Sequence, residues 1–151
     1  MTTPRERIEK EVSLALKSGD KPRLSTLRLL LSAIDNERIR SGEAVDEETF
    51  LGLVQKGIKQ RRESSEQYRQ GKRLELAEKE EREIEVLEEF LPPPVADEEL
   101  RQAIRDFVAE QGLSGMPALG VVMKEMLHRF AGRTDGATIN RIARDILTQD
   151  A

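Results

Sequence analysis

Three consecutive prolines, Pro92–Pro94, constrain the fold more than any other feature of this chain. Each proline lacks a backbone donor and disfavours helix in the residue before it, so no regular helix runs through this stretch. Apolar residues recur at helical spacing on both sides of it, and no comparable break occurs elsewhere. The 151 residues are enough for one domain or for two small ones. We therefore predict an N-terminal domain at residues 1–93 and a C-terminal domain at residues 94–151.

The N-terminal part has four apolar stripes with steps of three and four residues, which is the period of an amphipathic helix. Thr3-Pro4, Asp20 and Asp46 precede the first three stripes and are typical helix starts, while Gly19 and Gly42 are typical stops. The predicted core residues of the four helices are Ile8, Val12, Ala15 and Leu16, then Leu24, Leu27, Leu30, Leu31 and Ile34, then Phe50, Leu51, Val54 and Ile58, and finally Leu74, Ala77, Ile84, Leu87 and Leu91.

Three further stripes follow the prolines and predict a three-helix unit, which is small for an independent core. Its predicted core residues are Leu100, Ile104, Phe107 and Val108, then Leu119, Val122, Met123, Met126 and Leu127, and finally Ile139, Ile142, Ile146 and Leu147. Asp97 and Asp135 are expected to cap its first and last helices. Gly120 interrupts the middle stripe, and we expect it to mark a close approach between helices. Aromatic residues are only 3% of the chain, so the core must be aliphatic, which favours helices over sheets. The predicted fold class is all-α: an N-terminal helical domain with long helices, followed by a small three-helix C-terminal bundle.

Several classes of protein are excluded or disfavoured by what the sequence lacks. The chain has no cysteine, so disulfides, thiol catalysis and cysteine metal sites are excluded. Its first residues, MTTPRERIEKEV, are charged and lack the apolar segment of a signal peptide, and no apolar run approaches about 18 residues. The single histidine, His128, has no motif around it, and neither a metal-ligand spacing nor a phosphate-binding glycine pattern occurs. We therefore expect a soluble, cytoplasmic protein without membrane association, catalytic residues, metal or cofactor.

The charge changes sign abruptly in the middle of a chain whose formal net charge is −4. Residues 56–73 contain seven Lys or Arg and two Glu, whereas residues 74–91 contain eight Glu and two Lys or Arg. Past Ile58, the positions that should continue the core face of the third helix include Arg61, Ser65 and Tyr68. A helix that continues beyond its own apolar face must project into solvent or pack against something polar.

Four cations of this basic segment share one helical face, which spans about 21 Å. The basic ridge, as we call them, consists of Lys59, Arg62, Arg69 and Arg73. The planar fork of Arg binds phosphate oxygens, and Tyr68 supplies a ring on which an unpaired base can stack, so one interpretation is an RNA-binding surface. The alternative is that the acidic fourth helix folds back at Gly71 and neutralises the ridge, since charged helix faces are usually only solvated.

A second basic patch lies in AGRTDGATINR, Ala131–Arg141, where Gly132 and Gly136 frame Arg133 before the last helix. Free N–H groups at a helix start, together with a nearby Arg, form a potential anion site. The alternative is an ordinary cap in which Asp135 accepts those N–H bonds itself and contributes its own negative charge.

Five segments together resemble the YqeY family, in order and over nearly the whole chain, from about Arg5 to Leu147. They are STLRLLLSAI (Ser25–Ile34), KQRRES (Lys59–Ser64), EREIEVLEEFLP (Glu81–Pro92), GVVMKEM (Gly120–Met126) and AGRTDGATIN (Ala131–Asn140). The family's domain also recurs as the C-terminal tail of the B subunit of glutamine-dependent Asp/Glu-tRNA amidotransferase, and fused to some glutaminyl-tRNA synthetases. The LPPPVA stretch departs from the family's more usual LP followed by polar residues, which affects only the linker.

The resemblance implies an all-α protein whose relative in the amidotransferase helps to hold tRNA, while the amide chemistry takes place in other domains. The family's label, carbon–nitrogen ligase activity with glutamine as amido-N-donor, belongs with that larger enzyme, because neither an ATP site nor an amidase nucleophile set is recognisable here. The RNA-binding candidates that follow from the two basic segments and the resemblance are Lys56, Lys59, Arg61, Arg62, Tyr68, Arg69, Arg73, Arg133, Asn140, Arg141 and Arg144.

Three functions stay open on these observations. The first is an accessory module that binds tRNA. The second is a helical protein–protein interaction module that docks on an aminoacyl-tRNA synthetase or a tRNA amidotransferase, which the acidic helix and the scarcity of aromatic residues favour. The third is an enzyme in its own right, for which only the family label argues. The pairing or exposure of the basic ridge in the folded protein discriminates between the first two.

Overall fold

The computed structural model describes residues 2–149, and every regular element in that range is helical, which confirms the all-α prediction. Backbone contacts divide the chain into two compact units, Met1–Leu91 and Pro92–Ala151. This division lies two residues before the predicted domain boundary at 93/94. Whether each unit folds by itself stays a prediction.

The described part of unit 1 forms four α-helices: α1 (Pro4–Ser18), α2 (Lys21–Ser41), α3 (Glu47–Gln70) and α4 (Leu74–Glu88). The side chains of Thr3, Asp20 and Asp46 each accept a hydrogen bond from a backbone N–H in the first turn of the following helix. These three caps explain why α1, α2 and α3 begin where the sequence predicted.

A tight turn after α3 reverses the chain, so that α4 packs along α3 in the most extensive helix contact of the unit. Within the turn, Arg73 N–H donates to the Tyr68 carbonyl over 2.7 Å. Lys72 has φ 60° and is the one non-glycine residue with positive φ in the described range. The predicted fold-back near Gly71 is therefore present, and it decides what the polar face of α3 meets.

The core of unit 1 is aliphatic with two aromatic rings. Phe50 and Phe90 meet edge to face, with ring centroids 6.3 Å apart. Most predicted stripe residues are buried, but Leu16 and Leu74 are exposed. Successive residues point about 100° apart around a helix. Leu16 is thus turned away from the buried side chain of Ala15, and Leu74 lies off the face that its helix buries.

The described residues of unit 2 form three α-helices and a single 3₁₀ turn: α5 (Asp97–Gln111), the turn Met116–Ala118, α6 (Leu119–Arg129) and α7 (Gly136–Gln149). Its core consists of Val95, Leu100, Ile104, Phe107, Val108, Ala118, Val122, Met126, Phe130, Ile139, Ile142, Ala143, Ile146 and Leu147. Val95 ends the proline segment, is buried in this core, and donates its N–H to the Arg133 carbonyl over 2.9 Å. The last part of the proline segment is therefore fastened to unit 2.

Three local expectations for unit 2 are wrong. The residue at the cap position of α5 is Ala96, and Asp97 is instead the first helical residue. Gly120 is exposed, and a Cβ added there would meet no atom within 4 Å, so no close approach of helices requires this glycine. Leu127, predicted to be in the core, is exposed. The predicted cap at Asp135 is confirmed, because its Oδ1 accepts the N–H of Thr138 over 2.8 Å.

Candidate nucleic-acid interface

The polar half of α3 does not project into solvent, because α4 lies along it. Ser65 in α3 and Ala77 in α4 are both buried, and such small residues allow the two helices to approach closely. Beyond its apolar face, α3 therefore packs against a polar partner, which is one of the two outcomes expected from the sequence.

The basic ridge is exposed, but α4 pairs with two of its four cations. Arg62 Nη2 lies 3.3 Å from Glu88 Oε1, and Arg69 Nη2 lies 2.6 Å from Glu81 Oε2. The hydrogen bond from Arg69 lowers the pKa of the Glu81 carboxyl and raises that of the Arg69 guanidinium. Among residues 2–149, no carboxylate lies within ion-pair distance of the other two cations, Lys59 and Arg73.

Both of these ion pairs remain open to water. The side chains of Arg62 and Glu88 are 66% and 49% exposed, and those of Arg69 and Glu81 are 48% and 40% exposed. Solvent and salt screen such pairs, so they stabilise the fold little and an external anion can compete for the cations. The ridge is thus partly neutralised and still accessible.

Arg61 and Tyr68 do not lie on the ridge. Arg61 points into the α3–α4 contact, where its Nε lies 3.2 Å from Glu83 Oε2 and one Nη donates to the Gly57 carbonyl over 3.1 Å. Its side chain is only 16% exposed. A Cβ at Gly57 would lie 3.2 Å from this guanidinium, so the glycine leaves room for it. Tyr68 is half-buried and is turned about 100° from the neighbouring Arg69.

Lys56 lines a groove of about 360 Å³ between α2 and α3. Leu29, Ala33 and Leu53 form much of its apolar lining, and Leu29 is 52% exposed. Arg40 also lines this groove, and its hydrogen bond to Glu37 lowers the pKa of that carboxyl. The groove combines an exposed apolar strip with cations, which is a different kind of surface from the ridge.

The cations of the second basic patch are engaged within unit 2. Arg133 donates to the Pro93 carbonyl over 3.0 Å, and its guanidinium lies 5.6 Å from the centre of the Phe130 ring. Arg141 pairs with Asp97 at 3.0 Å. The N-terminus of α7 is already capped by the Asp135 carboxylate, which is the alternative that the sequence left open.

The remaining polar residues of this patch bond to each other: Arg144 Nε donates to Asn140 Oδ1 over 2.7 Å. Since Arg133 and Arg141 are also paired, the second basic patch of unit 2 offers an incoming anion fewer free cations than unit 1 does. Among the exposed cations of unit 1 that were not sequence-based candidates, four share one surface. Lys21 and Arg28 of α2 and Lys79 and Arg82 of α4 line two adjoining depressions. The signal that would have revealed the α2 pair is a run without any carboxylate, from Lys21 to Ile34.

No group of three or more His, Asp or Glu side chains among residues 2–149 is arranged to hold a metal ion. In the same range, no helix is both long enough and apolar enough to cross a membrane.

Comparison with known proteins identifies a family that matches this chain. A family model described as Yqey-like protein matches residues 5–147. An uncharacterised protein of Schizosaccharomyces pombe is 39% identical over 85 residues, which are 56% of this chain and 69% of that protein.

Two fungal proteins named "Altered inheritance of mitochondria protein 41, mitochondrial" also match. The protein from Pyrenophora tritici-repentis is 29% identical over 130 residues, which cover 84% of this chain and 71% of the relative. The protein from Lachancea thermotolerans is 38% identical over 93 residues, covering 60% of this chain and half of the relative. These names indicate an association with mitochondria for the relatives and specify no ligand or reaction.

Proposed function

This chain belongs to the YqeY family, and on that premise we propose that it is an accessory module that binds structured RNA, with transfer RNA as the expected class, and that it catalyses no reaction alone. A relation to the tRNA-holding tail of the glutamine-dependent amidotransferase is part of the proposal. So is a cytoplasmic location, because the word "mitochondrial" in the relatives' names applies to those proteins.

The observation that carries the proposal is the exposed basic ridge on one flank of α3. Lys59, Arg62 and Arg69 follow that flank over about 15 Å at 1.5 Å per residue. Arg73 does not extend the helical face, since α3 ends at Gln70 and the chain turns. Cations in such a row suit the regular spacing of phosphates along a nucleic-acid strand, and Arg and Lys supply most contacts of this kind.

The pairing with α4 weakens the ridge without removing it. An RNA phosphate that approaches Arg62 or Arg69 must displace Glu88 or Glu81. Both carboxylates are about half exposed and can rotate into water. The same two carboxylates repel an incoming phosphate as long as they stay in place. We therefore expect a modest RNA affinity that rises when Glu81 and Glu88 are neutralised.

The test measures the fluorescence anisotropy of labelled, deacylated transfer RNA at low salt. The variant Glu81→Gln/Glu88→Gln should bind about three- to tenfold more tightly than the parent, since two like charges near the phosphate path are removed. The variant Arg62→Ala/Arg69→Ala should bind more weakly, and its salt slope should fall by about one unit per contact removed.

A matched control removes two exposed cations of α1, in Lys10→Ala/Lys17→Ala, with the same change in net charge. If Arg62→Ala/Arg69→Ala binds no more weakly than this control, the ridge is not the site. If the parent protein binds no transfer RNA at low salt, the RNA-binding function itself is refuted.

A second candidate function, docking of an acidic amphipathic helix from a partner synthetase or amidotransferase, is favoured by the groove between α2 and α3. Its apolar strip is flanked by Arg40, Lys56 and Arg61, whereas Glu37 is the one carboxylate among the described residues that line it. Calorimetric titration with purified amidotransferase, for the parent and Leu29→Asp, tests this candidate. Leu29 is exposed, so the substitution should abolish docking without unfolding the protein. Absence of binding heat with the parent refutes it for that partner.

A further inference from the structure

Helix α4 segregates its charges onto two flanks. Glu81 and Glu88 lie on the flank that faces α3, where they pair with the basic ridge. Lys79 and Arg82 are turned away from these carboxylates, because Arg82 points about 100° from Glu81. Both cations line a cleft of about 610 Å³ between α4 and the first turns of α2. The acidic helix therefore presents its only two cations on the flank away from the ridge.

The outward face of α2 is basic and free of carboxylates over its first three turns. Lys21, Ser25, Arg28 and Ser32 recur with steps of four, three and four residues and are all exposed. Such spacing keeps them on one face, over about 16 Å. No Asp or Glu occurs from Lys21 to Ile34, although the chain contains 29 acidic residues in 151. This stretch is thus unusually poor in groups that would repel an anion.

The two depressions form one surface. The cleft between α2 and α4 and a shallower depression of about 480 Å³ on α2 share Lys21 and Ser25 in their linings. A ligand can therefore contact Lys79 and Arg82 on one side and Arg28 on the other without leaving the protein. We call this continuous surface, defined by Lys21, Arg28, Lys79 and Arg82, the α2–α4 face.

Most carboxylates around this face are already engaged. Asp20 caps α2 by accepting the backbone N–H of Arg23 over 3.2 Å. Glu89 pairs with the Arg23 guanidinium at 2.5 Å, and Glu83 pairs with Arg61 at 3.2 Å. Among residues 2–149, Asp20 and Glu85 are the carboxylates of the cleft lining without an ion pair, and of these two Glu85 is the one that caps no helix.

The cations of the α2–α4 face, unlike the paired carboxylates of the cleft, are not engaged in ion pairs in the described part of the chain. None of Lys21, Arg28, Lys79 and Arg82 has a carboxylate within ion-pair distance in the described range. Unlike Arg62 and Arg69 of the ridge, they are available without the loss of an existing pair. Among the described residues, the cleft lining has one carboxylate with neither an ion pair nor a capping role, and the four accessible cations outnumber it, so this face favours a polyanion.

We propose that the α2–α4 face binds the sugar–phosphate backbone of the RNA, as the main contact surface of the function proposed above, on which this inference rests. The four long side chains reach phosphate oxygens, while the hydroxyls of Ser25 and Ser32 can donate to phosphate or exchange hydrogen bonds with ribose 2′-hydroxyls. Contacts of this kind recognise the shape and charge of a folded RNA rather than its base sequence.

The test neutralises the whole face in the full-length protein: Lys21→Gln, Arg28→Gln, Lys79→Gln and Arg82→Gln. The matched control makes four equal changes at exposed cations elsewhere: Lys10→Gln, Lys17→Gln, Arg105→Gln and Lys124→Gln. Both proteins carry the same net charge, and circular dichroism and the fluorescence of Tyr68 verify that both are folded. Binding of labelled transfer RNA is measured by anisotropy between about 50 and 200 mM salt.

We expect the α2–α4 variant to lose at least about tenfold in affinity relative to the control, and its salt slope to fall by about two to three units. Equal binding by the two variants, with the parent still binding, overturns the α2–α4 face and leaves the proposed function intact. No binding by the parent overturns both. If poly-L-glutamate displaces the RNA as effectively per charge as unlabelled transfer RNA does, the face takes acidic protein segments and the assignment to an RNA backbone is wrong.

Discussion

Replacement of Arg61 by Ala should destabilise unit 1 far more than replacement of its neighbour Arg62. Arg61 is enclosed between α3 and α4, where it pairs with Glu83 and donates to the Gly57 carbonyl. Arg62 makes one ion pair at the surface, with Glu88. The two residues are adjacent, identical in type and both paired, so the comparison isolates the effect of burial.

The magnitude follows from the exposure of the two pairs. The side chains of Arg61 and Glu83 are 16% and 12% exposed, and removal of one partner from a buried pair costs about 3–5 kcal/mol. Residual solvent contact reduces this, so we expect Arg61→Ala to lower the free energy of unfolding by about 2–3 kcal/mol. For Arg62→Ala, an exposed pair implies a loss below about 1 kcal/mol.

The effect should also depend on pH. Burial, followed by repulsion from Glu83, raises the pKa of the Glu80 carboxyl, and Arg61 opposes this rise. Without Arg61 the pKa of Glu80 rises further. The folded state then binds protons more tightly than the unfolded chain, so stability falls as pH increases through that range. The cost of Arg61→Ala should be largest near neutral pH and smaller near the ordinary Glu value of 4.5.

Urea unfolding followed by tyrosine fluorescence measures the cost. Tyr68 is the only tyrosine, and the chain has no Trp, so this signal reports on unit 1 alone. Equal destabilisation by Arg61→Ala and Arg62→Ala would refute the structural role of Arg61. A loss of RNA affinity by a stably folded Arg61→Ala protein would instead indicate that Arg61 contacts the RNA.

Three further predictions concern the stability of the fold. Asp35→Asn should destabilise the protein at neutral pH but not below the folded-state pKa of Asp35, and unfolding curves across pH will measure this. The hydrogen bond from Arg5 lowers the pKa of Asp35, so the stabilisation is present above the unfolded value of 3.8 and is lost as pH falls through the folded value. Gly120→Ala should raise stability by up to about 1 kcal/mol in thermal melts, because the site is helical and open, whereas Gly19→Ala should lower it, since φ is 75° there. Ile142→Ala should lower the free energy of unfolding of unit 2 by about 2–5 kcal/mol, which circular dichroism will report. The unfolding transition seen in Tyr68 fluorescence should stay unchanged, and a shift of that transition would contradict separate folding of the two units.

Most of the fold follows from the apolar period, because a helix that packs on one side buries residues three and four apart. Phe50, Val54 and Ile58 illustrate this, since all three are buried as predicted. The period fixes the phase of a stripe poorly at its ends, however. Leu16 and Leu74 were assigned to stripes by spacing alone, and both are exposed. A tertiary partner, which the sequence of one helix does not specify, decides such positions.

The charge reversal between residues 56–73 and 74–91 left two outcomes open: an acidic helix that folds back and neutralises the ridge, or a ridge that stays free to bind RNA. Which carboxylate meets which cation depends on the register between two helices. Glu81 and Glu88 make the pairs, whereas no ion pair to the ridge forms at Glu85 in the described range. The eight Glu of residues 74–91 dominate the charge of this segment, so the sequence did not indicate that Lys79 and Arg82 occupy the flank of α4 away from the ridge.

The salt dependence of RNA binding by the unaltered protein tests the central claim most directly. If unit 1 holds the RNA backbone through the four cations of the α2–α4 face together with Arg62 and Arg69, a plot of log K against log salt concentration should be linear, with a slope of about −4 to −5. The binding should also require folded RNA, so that a heat-denatured transfer RNA held in single-stranded form competes less well. No detectable binding at about 50 mM salt, or a slope near zero, would contradict the account.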